Sequence, residues 1–213
     1  VGGAGTSAAI AMRLGPDAES GIVAFTRHNP VPVALAPKVT STILVTTTGD
    51  AGAGTLREAI LQANSTPGTD RIEFDIPGPG PHVISPLTPL SFLSDVTTVD
   101  GQTEPDFNGS PIVVIDGTQI VGTPGLIEVG IGVLASGCVI RGLRVVNCAG
   151  PAIDVREGAG TIVEANWVGL DAAVAAAAPN ISGVNMSGGP GHLLGGTSVA
   201  ARNVISGSMQ SGA

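Results

Sequence analysis

From residue 41 onward, apolar residues come in short β-branched or alternating runs, each closed by glycine, proline or an Asp-Gly pair. Ile43-Leu-Val-Thr-Thr-Thr48 ends at Gly49-Asp50, Ile72, Phe74 and Ile76 alternate strictly after Pro67-Gly68, and later runs stop at Asp100-Gly101 and Asp116-Gly117. Period-two patterning between turn residues predicts short strands. One stretch breaks the pattern. Leu56, Ala59, Ile60 and Ala63 fall on one face at helical spacing, which predicts a helix near 55–64. Thr55 stands at its N-cap and Glu58 three residues later, the arrangement of a capping box that satisfies orphan amide donors of the first turn.

Past residue 116 the runs repeat. Leu126-Ile-Glu-Val129, Ala152-Ile-Asp-Val155 and Gly183-Val-Asn-Met186 superimpose at intervals of 26 and 31 residues, and Val139-Ile-Arg-Gly-Leu-Arg-Val145 superimposes on Ile162-Val-Glu-Ala-Asn-Trp-Val168 at an interval of 23, with a last copy between Leu193 and Ile205. Two strand signatures per unit of twenty to thirty residues indicate a coil of strands in which each turn stacks on the last. Stacked turns lie about 4.8 Å apart, so inward positions form columns of like side chains. The expected columns are Ile127, Ile153, Val184 and Val129, Val155, Met186. Glycine and asparagine at the corners supply left-handed backbone. An antiparallel sandwich also has many short strands, but it predicts hairpin dipeptides rather than in-register repeats. The fold class expected is therefore all-β: a right-handed parallel β-helix, or solenoid, over residues 39–213 with one short N-terminal capping α-helix. Residues 1–38 differ, with a Gly/Ala start, a strand at Ile22–Thr26 and prolines at 30, 32 and 37. They read as an extended N-terminal arm rather than a domain.

Composition fits this picture and narrows the function. Among 213 residues, 32 are Gly and 16 Pro, 43% are hydrophobic and only 2% aromatic, so the core must come from Val, Ile, Leu and Ala. The net charge is −8, with nine Lys and Arg scattered singly, which leaves no basic footprint for nucleic acid. No apolar run reaches the roughly 20 residues of a membrane span. Cys138 and Cys148 have no second Cys or His at metal-ligand spacing, so no metal site is expected from them. Buried free thiols are the favoured state, with a disulfide the alternative. Asn-x-Ser/Thr triplets stand at Asn64, Asn108, Asn180 and Asn185.

Gly52-Ala-Gly-Thr-Leu-Arg-Glu-Ala-Ile-Leu-Gln-Ala-Asn64, the following Pro-Gly-Thr-Asp-Arg-Ile-Glu-Phe74, and Asn203-Val-Ile-Ser-Gly207 resemble the pectate-lyase-like, right-handed parallel β-helix repeat proteins of bacterial surfaces, whose N-terminal segment carries a "SLREAI" signature. The resemblance covers residues 40–207. It implies that the helix caps the first coil through Leu56, Ile60 and Ala63. It also implies a secreted or cell-surface protein, either a structural adhesin or a polysaccharide lyase, and says nothing of residues 1–38.

Candidate chemistry is sparse. A polysaccharide lyase needs a base to take a proton beside a carboxylate and a cation to neutralise that carboxylate. In the register above, Glu128, Asp154 and Asn185 form one outward column that could anchor a sugar or calcium. Arg141 lies over Glu164, and Arg144 over Trp167, the one Trp of the chain and the aromatic platform available to a sugar ring. Glu128, Asp154, Arg144 and Trp167 are thus the candidate ligand-binding residues. No catalytic set, cofactor or metal is expected. His28, His82 and His192 lie in separate Gly/Pro-rich settings and read as loop residues. The function expected is structural or adhesive, with further copies of the chain as partner through head-to-tail strand addition into filaments. A small carbohydrate-active protein, or a fragment of a larger adhesin, is the alternative, with polysaccharide as its partner.

Overall fold

The computed structural model describes residues 8–12, 21–26, 29–35, 40–121, 128–171 and 177–210. The chain divides into two units, Val1–Val39 and Thr40–Ala213. In the first, β1 (Ala8–Met12), β2 (Gly21–Thr26) and β3 (Asn29–Leu35) form an antiparallel sheet in the order β1-β2-β3. The segment read as an extended arm with one strand is therefore a three-stranded sheet. The prolines did not forbid it because β3 is an edge strand, where one row of N–H groups has no partner. Pro30 and Pro32, two residues apart, share one lateral side of that strand, and the register with β2 shifts between Ala24 and Thr26.

The second unit is built from three parallel sheets. Its strands are β4 (Thr42–Val45), β5 (Thr69–Phe74), β6 (His82–Ile84), β7 (Val96–Asp100), β8 (Val113–Asp116), β9 (Ile131–Val133), β10 (Val139–Arg141), β11 (Leu143–Val146), β12 (Pro151–Val155), β13 (Ile162–Glu164), β14 (Trp167–Val168), β15 (Ser182–Met186), β16 (Leu193–Leu194) and β17 (Val204–Ile205). They assort as β16-β13-β10-β7-β5-β4, β17-β14-β11-β8-β6 and β15-β12-β9. From β7 on, the chain visits the three sheets in a fixed order, one strand in each, and then begins the next round. Every pair is parallel. This excludes the antiparallel sandwich.

Register makes the core. In the first sheet Ile43, Ile72, Val99, Ile140 and Val163 lie side by side. In the second, Ile84, Ile115, Val145 and Val168 do so, and in the third, Ile131, Ile153 and Val184. All these side chains are buried in a single apolar cluster shared by the three sheets. Only small and β-branched residues repeat well in such rows, which accounts for the scarcity of aromatics. Corners are turned by left-handed residues: Gly142 (φ 68°) between β10 and β11, and Ala165 (φ 55°) at the equivalent corner one round later. A Cβ on Gly142 would stand 2.7 Å from the backbone nitrogen of Gln102, so glycine is required there by contact as well as by conformation.

Two expected columns are corrected. Ile153, Asp154 and Val155 lie beside Ile131, Gly132 and Val133, not beside residues 127–129. Ile127 lies outside the described residues; Val129 is buried outside any named strand. The cause is Phe92. Its ring occupies the place of a side chain at position 132, where a Cβ would come within 2.4 Å of the ring. A larger residue there would have to move that ring, and Glu128 lies outside the column.

The helix forms as the pattern predicts. α1 (Leu56–Ser65) is capped by Thr55, whose Oγ1 accepts the Glu58 N–H at 3.3 Å. The reciprocal half of the box is replaced, because the Thr55 N–H donates to the Gly52 carbonyl. Leu56, Ala59, Ile60 and Ala63 are buried and join the common core beside β4 and β5. The polar members of the motif tie the helix to the next round. Arg57 bonds Asp50 at 2.7 Å and the carbonyls of Thr88 and Pro89 at 2.8 and 3.0 Å, while Asn64 donates to the Phe92 carbonyl at 2.7 Å and accepts from the Ser94 N–H at 2.8 Å. Ile60 is 1% exposed, so Ile60→Asp places an unpaired carboxylate in the core and is expected to cost on the order of 4 kcal/mol. Chemical denaturation checks this; a variant that unfolds at the parent's midpoint contradicts the helix's place in the core.

Candidate functional site

The outward faces carry the polar chemistry, and register decides what meets what. On the first sheet Glu73, Asp100, Arg141 and Glu164 form one column. Asp100, whose side chain is 2% exposed, takes Arg141 Nη2 at 2.5 Å and Arg71 Nη2 at 3.2 Å, and Arg141 reaches Glu164 at 3.8 Å. The hydrogen bond to Asp100, outweighing partial burial, holds the Arg141 guanidinium above its ordinary pKa. The Arg141–Glu164 pair read from the sequence is present but secondary to Asp100, the buried acid between two arginines.

On the third sheet Asp154 lies beside Gly132 and Asn185. Its carboxylate is taken by Arg156 Nε at 2.6 Å and by the Asn185 amide at 2.7 Å, and the Arg156 guanidinium stacks 4.7 Å from the Phe92 centroid. Asp154 therefore serves a closed network, and Glu128 is not part of it.

On the second sheet Arg144 lies beside Trp167, with its guanidinium 5.1 Å from the ring centroid. Arg144 is 3% exposed and donates to the carbonyls of Asp171 at 2.8 Å and Pro111 at 3.0 Å. Burial pulls its pKa down, opposed by the Asp171 charge. Trp167 is half-buried and lines a groove of 470 Å³ with Phe107, Pro111, Ala165, Val199 and Val204. Arg144 works beneath the Trp ring as support and does not face solvent.

Sequence reasoning missed two arrangements. The first is a set of corner asparagines. Asn166 accepts from the Leu143 N–H at 3.0 Å and donates to the Ile140 carbonyl at 2.9 Å, Asn203 repeats the role one round later, and Asn180 bonds the Cys148 N–H and the Val145 carbonyl. Asn180 is wholly buried, so its glycosylation triplet is inaccessible in the fold. The second is a cluster of His82, Glu104 and Asp106, whose ligand atoms all lie within 4.8 Å of one another. His82 opens β6 and is 5% exposed, not a loop residue. Its partners stand 22 and 24 positions away in sequence, about one round, so local motif spacing could not show them. His192 Nδ1 accepts from the Thr161 N–H at 3.2 Å; His28 lies outside the described residues.

Cys138 and Cys148 are both free and buried. Burial pushes the Cys148 thiol up from its ordinary 9.0 to about 12, with the Asp116 and Glu128 charges adding to it and the Gly117 N–H opposing. No family model and no curated protein matches the chain.

The fold thus excludes the thiolate, and unfolding releases it. The stabilising contribution is complete below the thiol's ordinary value near 9.0 and is lost as pH rises toward about 12. With no Tyr and a single Lys, at position 38, few other groups titrate in that window. Denaturation midpoints are expected to fall above pH 9, and to fall less in Cys148→Ala; equal slopes for the two proteins contradict the assignment.

Proposed function

We propose that the Thr40–Ala213 unit is a right-handed parallel β-helix, its three sheets closed around the common core, and that its role is structural or adhesive, outside the cell. The observation that carries this reading is the internal pairing of the outward charges. Asp100 is shared by two arginines, Asp154 is held by Arg156 and Asn185, and Arg144 is spent on two carbonyls and a ring. A lyase base and its carboxylate-neutralising cation must face substrate with capacity to spare. These residues instead fasten one round to the next, as a scaffold requires. The resemblance of the Leu56–Asn64 motif to β-helix repeat proteins of bacterial surfaces supports the fold and the location.

The association surface of this reading is the edge at β15, β16 and β17, which have no further strand beside them among the described residues. Leu193, Leu194, Val199 and Val204 are exposed there, between 37% and 77%, and Arg202 is the one charged residue between 193 and 210. An uncharged apolar edge of this kind templates strand addition. The occupant in this proposal is a second copy of the chain, donating a strand of its N-terminal unit. Such a contact is head-to-tail and propagates as a filament or closes as a ring.

The second reading, a carbohydrate-binding protein, is favoured by the Trp167–Phe107 groove, which offers an aromatic face of the kind sugars stack on. Native mass measurement separates the two. The scaffold reading expects particles larger than the monomer, reduced to monomers by Leu193→Lys with Val204→Lys or by deletion of residues 1–38. A strictly monomeric parent across concentration, or unsaturated products released from pectate or alginate and lost on changing Asp154, contradicts it.

A further inference from the structure

At the His82 cluster a buried imidazole nitrogen faces two carboxylate groups without a hydrogen-bond partner. Asp100, Asp154 and Arg144 are each engaged by named donors or acceptors. His82 Nε2 is buried with none. It points between two carboxylate oxygens, 3.6 Å from Glu104 Oε1 and 3.7 Å from Asp106 Oδ1, beyond hydrogen-bond length for either. A buried imidazole nitrogen left in this way costs free energy. Those who share its space are both anionic oxygens, and a cation is what such a set attracts.

The geometry is close to that of a coordination shell. Bonds of about 2.1 Å to nitrogen and oxygen place tetrahedral zinc ligands roughly 3.3–3.5 Å apart. The two separations from His82 Nε2 exceed this by only a few tenths of an ångström, within reach of small side-chain rotations. The carboxylates are themselves held from behind. Glu104 accepts the Ile76 N–H at 3.1 and 3.3 Å through its two oxygens, and Asp106 Oδ2 accepts the Gly80 N–H at 2.8 Å, which leaves Oδ1 for His82. The main chain of His82 is held in the sheet, where its backbone N–H donates to the Ile112 carbonyl at 2.8 Å. Oriented ligands with backbone support are what metal sites show outside the first shell.

We infer that His82, Glu104 and Asp106 bind a divalent transition metal of the zinc class. Imidazole nitrogen with two carboxylate oxygens suits zinc and its neighbours; calcium and magnesium take oxygen ligands instead. Glu104 is 3% exposed and Asp106 43% exposed on its side chain, so the ion enters beside Asp106, and a water completes its shell on that side. The ligands come from the start of β6 and from the connection between β7 and β8, one round later. The ion therefore clamps consecutive rounds near the N-terminal end of the parallel sheets, on the second sheet's side of the rounds that Arg71 and Asp100 join on the first. This does not rest on the assembly proposed above.

The test uses the full chain, stripped of metal by chelation and titrated with zinc against a chromophoric chelator, with cobalt as a spectroscopic stand-in. The expected result is one equivalent bound per chain, cobalt absorption in the visible range of a low-coordinate site, and a melting temperature that rises with zinc. His82→Gln abolishes binding, and Asp106→Asn, at an exposed position that leaves the fold intact, weakens it at least tenfold. His192→Gln behaves like the parent. The inference is overturned by no uptake at tens of micromolar zinc in the folded parent, or by uptake unchanged in Asp106→Asn, or by loss of uptake in His192→Gln.

Discussion

Parallel pairing in strict register is the constraint from which the rest of this structure follows. Because each strand lies beside its counterpart of the previous round, the residue at every position is repeated sideways, and a column must be tolerable at every level at once. Inward columns of Ile and Val satisfy this with dry packing. Outward columns satisfy it when like charges are bridged, as Glu73 and Asp100 are by Arg71, or when one level contributes no side chain, as at Gly132. The corner residues obey the same rule. Asn166 and Asn180, both buried, and the half-buried Asn203 each complete backbone groups at a change of direction, which a column of apolar residues would not do.

Much of this was legible because register leaves a trace in sequence. The 23-residue interval put Arg144 over Trp167 and Arg141 over Glu164, and the 31-residue interval put Asp154 beside Asn185, all as found. The helix was legible from Thr55 and from the spacing of Leu56, Ala59, Ile60 and Ala63. What failed did so for identifiable reasons. The match of residues 126–129 to 152–155 rests on the shared apolar–acidic–apolar pattern, whereas the true partner run, Ile131-Gly-Val133, has a glycine at the acidic position, with the Phe92 ring packed over it. The N-terminal segment was read through its prolines, whose meaning changes at a sheet edge.

The His82 cluster marks a different limit. In a stacked fold, residues that meet are separated by a whole round, and Glu104 and Asp106 sit in a connection, where no repeat fixes their interval from His82 at the start of β6. Contacts within the sheets can be read from periodicity; contacts between connections cannot. The cluster also differs in composition from the charge networks that hold rounds together: there arginines answer the carboxylates, whereas here two carboxylates face a single imidazole nitrogen.

The central claim is that the three sheets share one core and are stabilised round by round. Amide hydrogen exchange measured residue by residue in rising denaturant tests it most directly. The account predicts that strands of the same round, such as β10, β11 and β12, lose protection together, with β16 and β17 opening first. Exchange of one whole sheet as a block, while the other two stay protected, would contradict it.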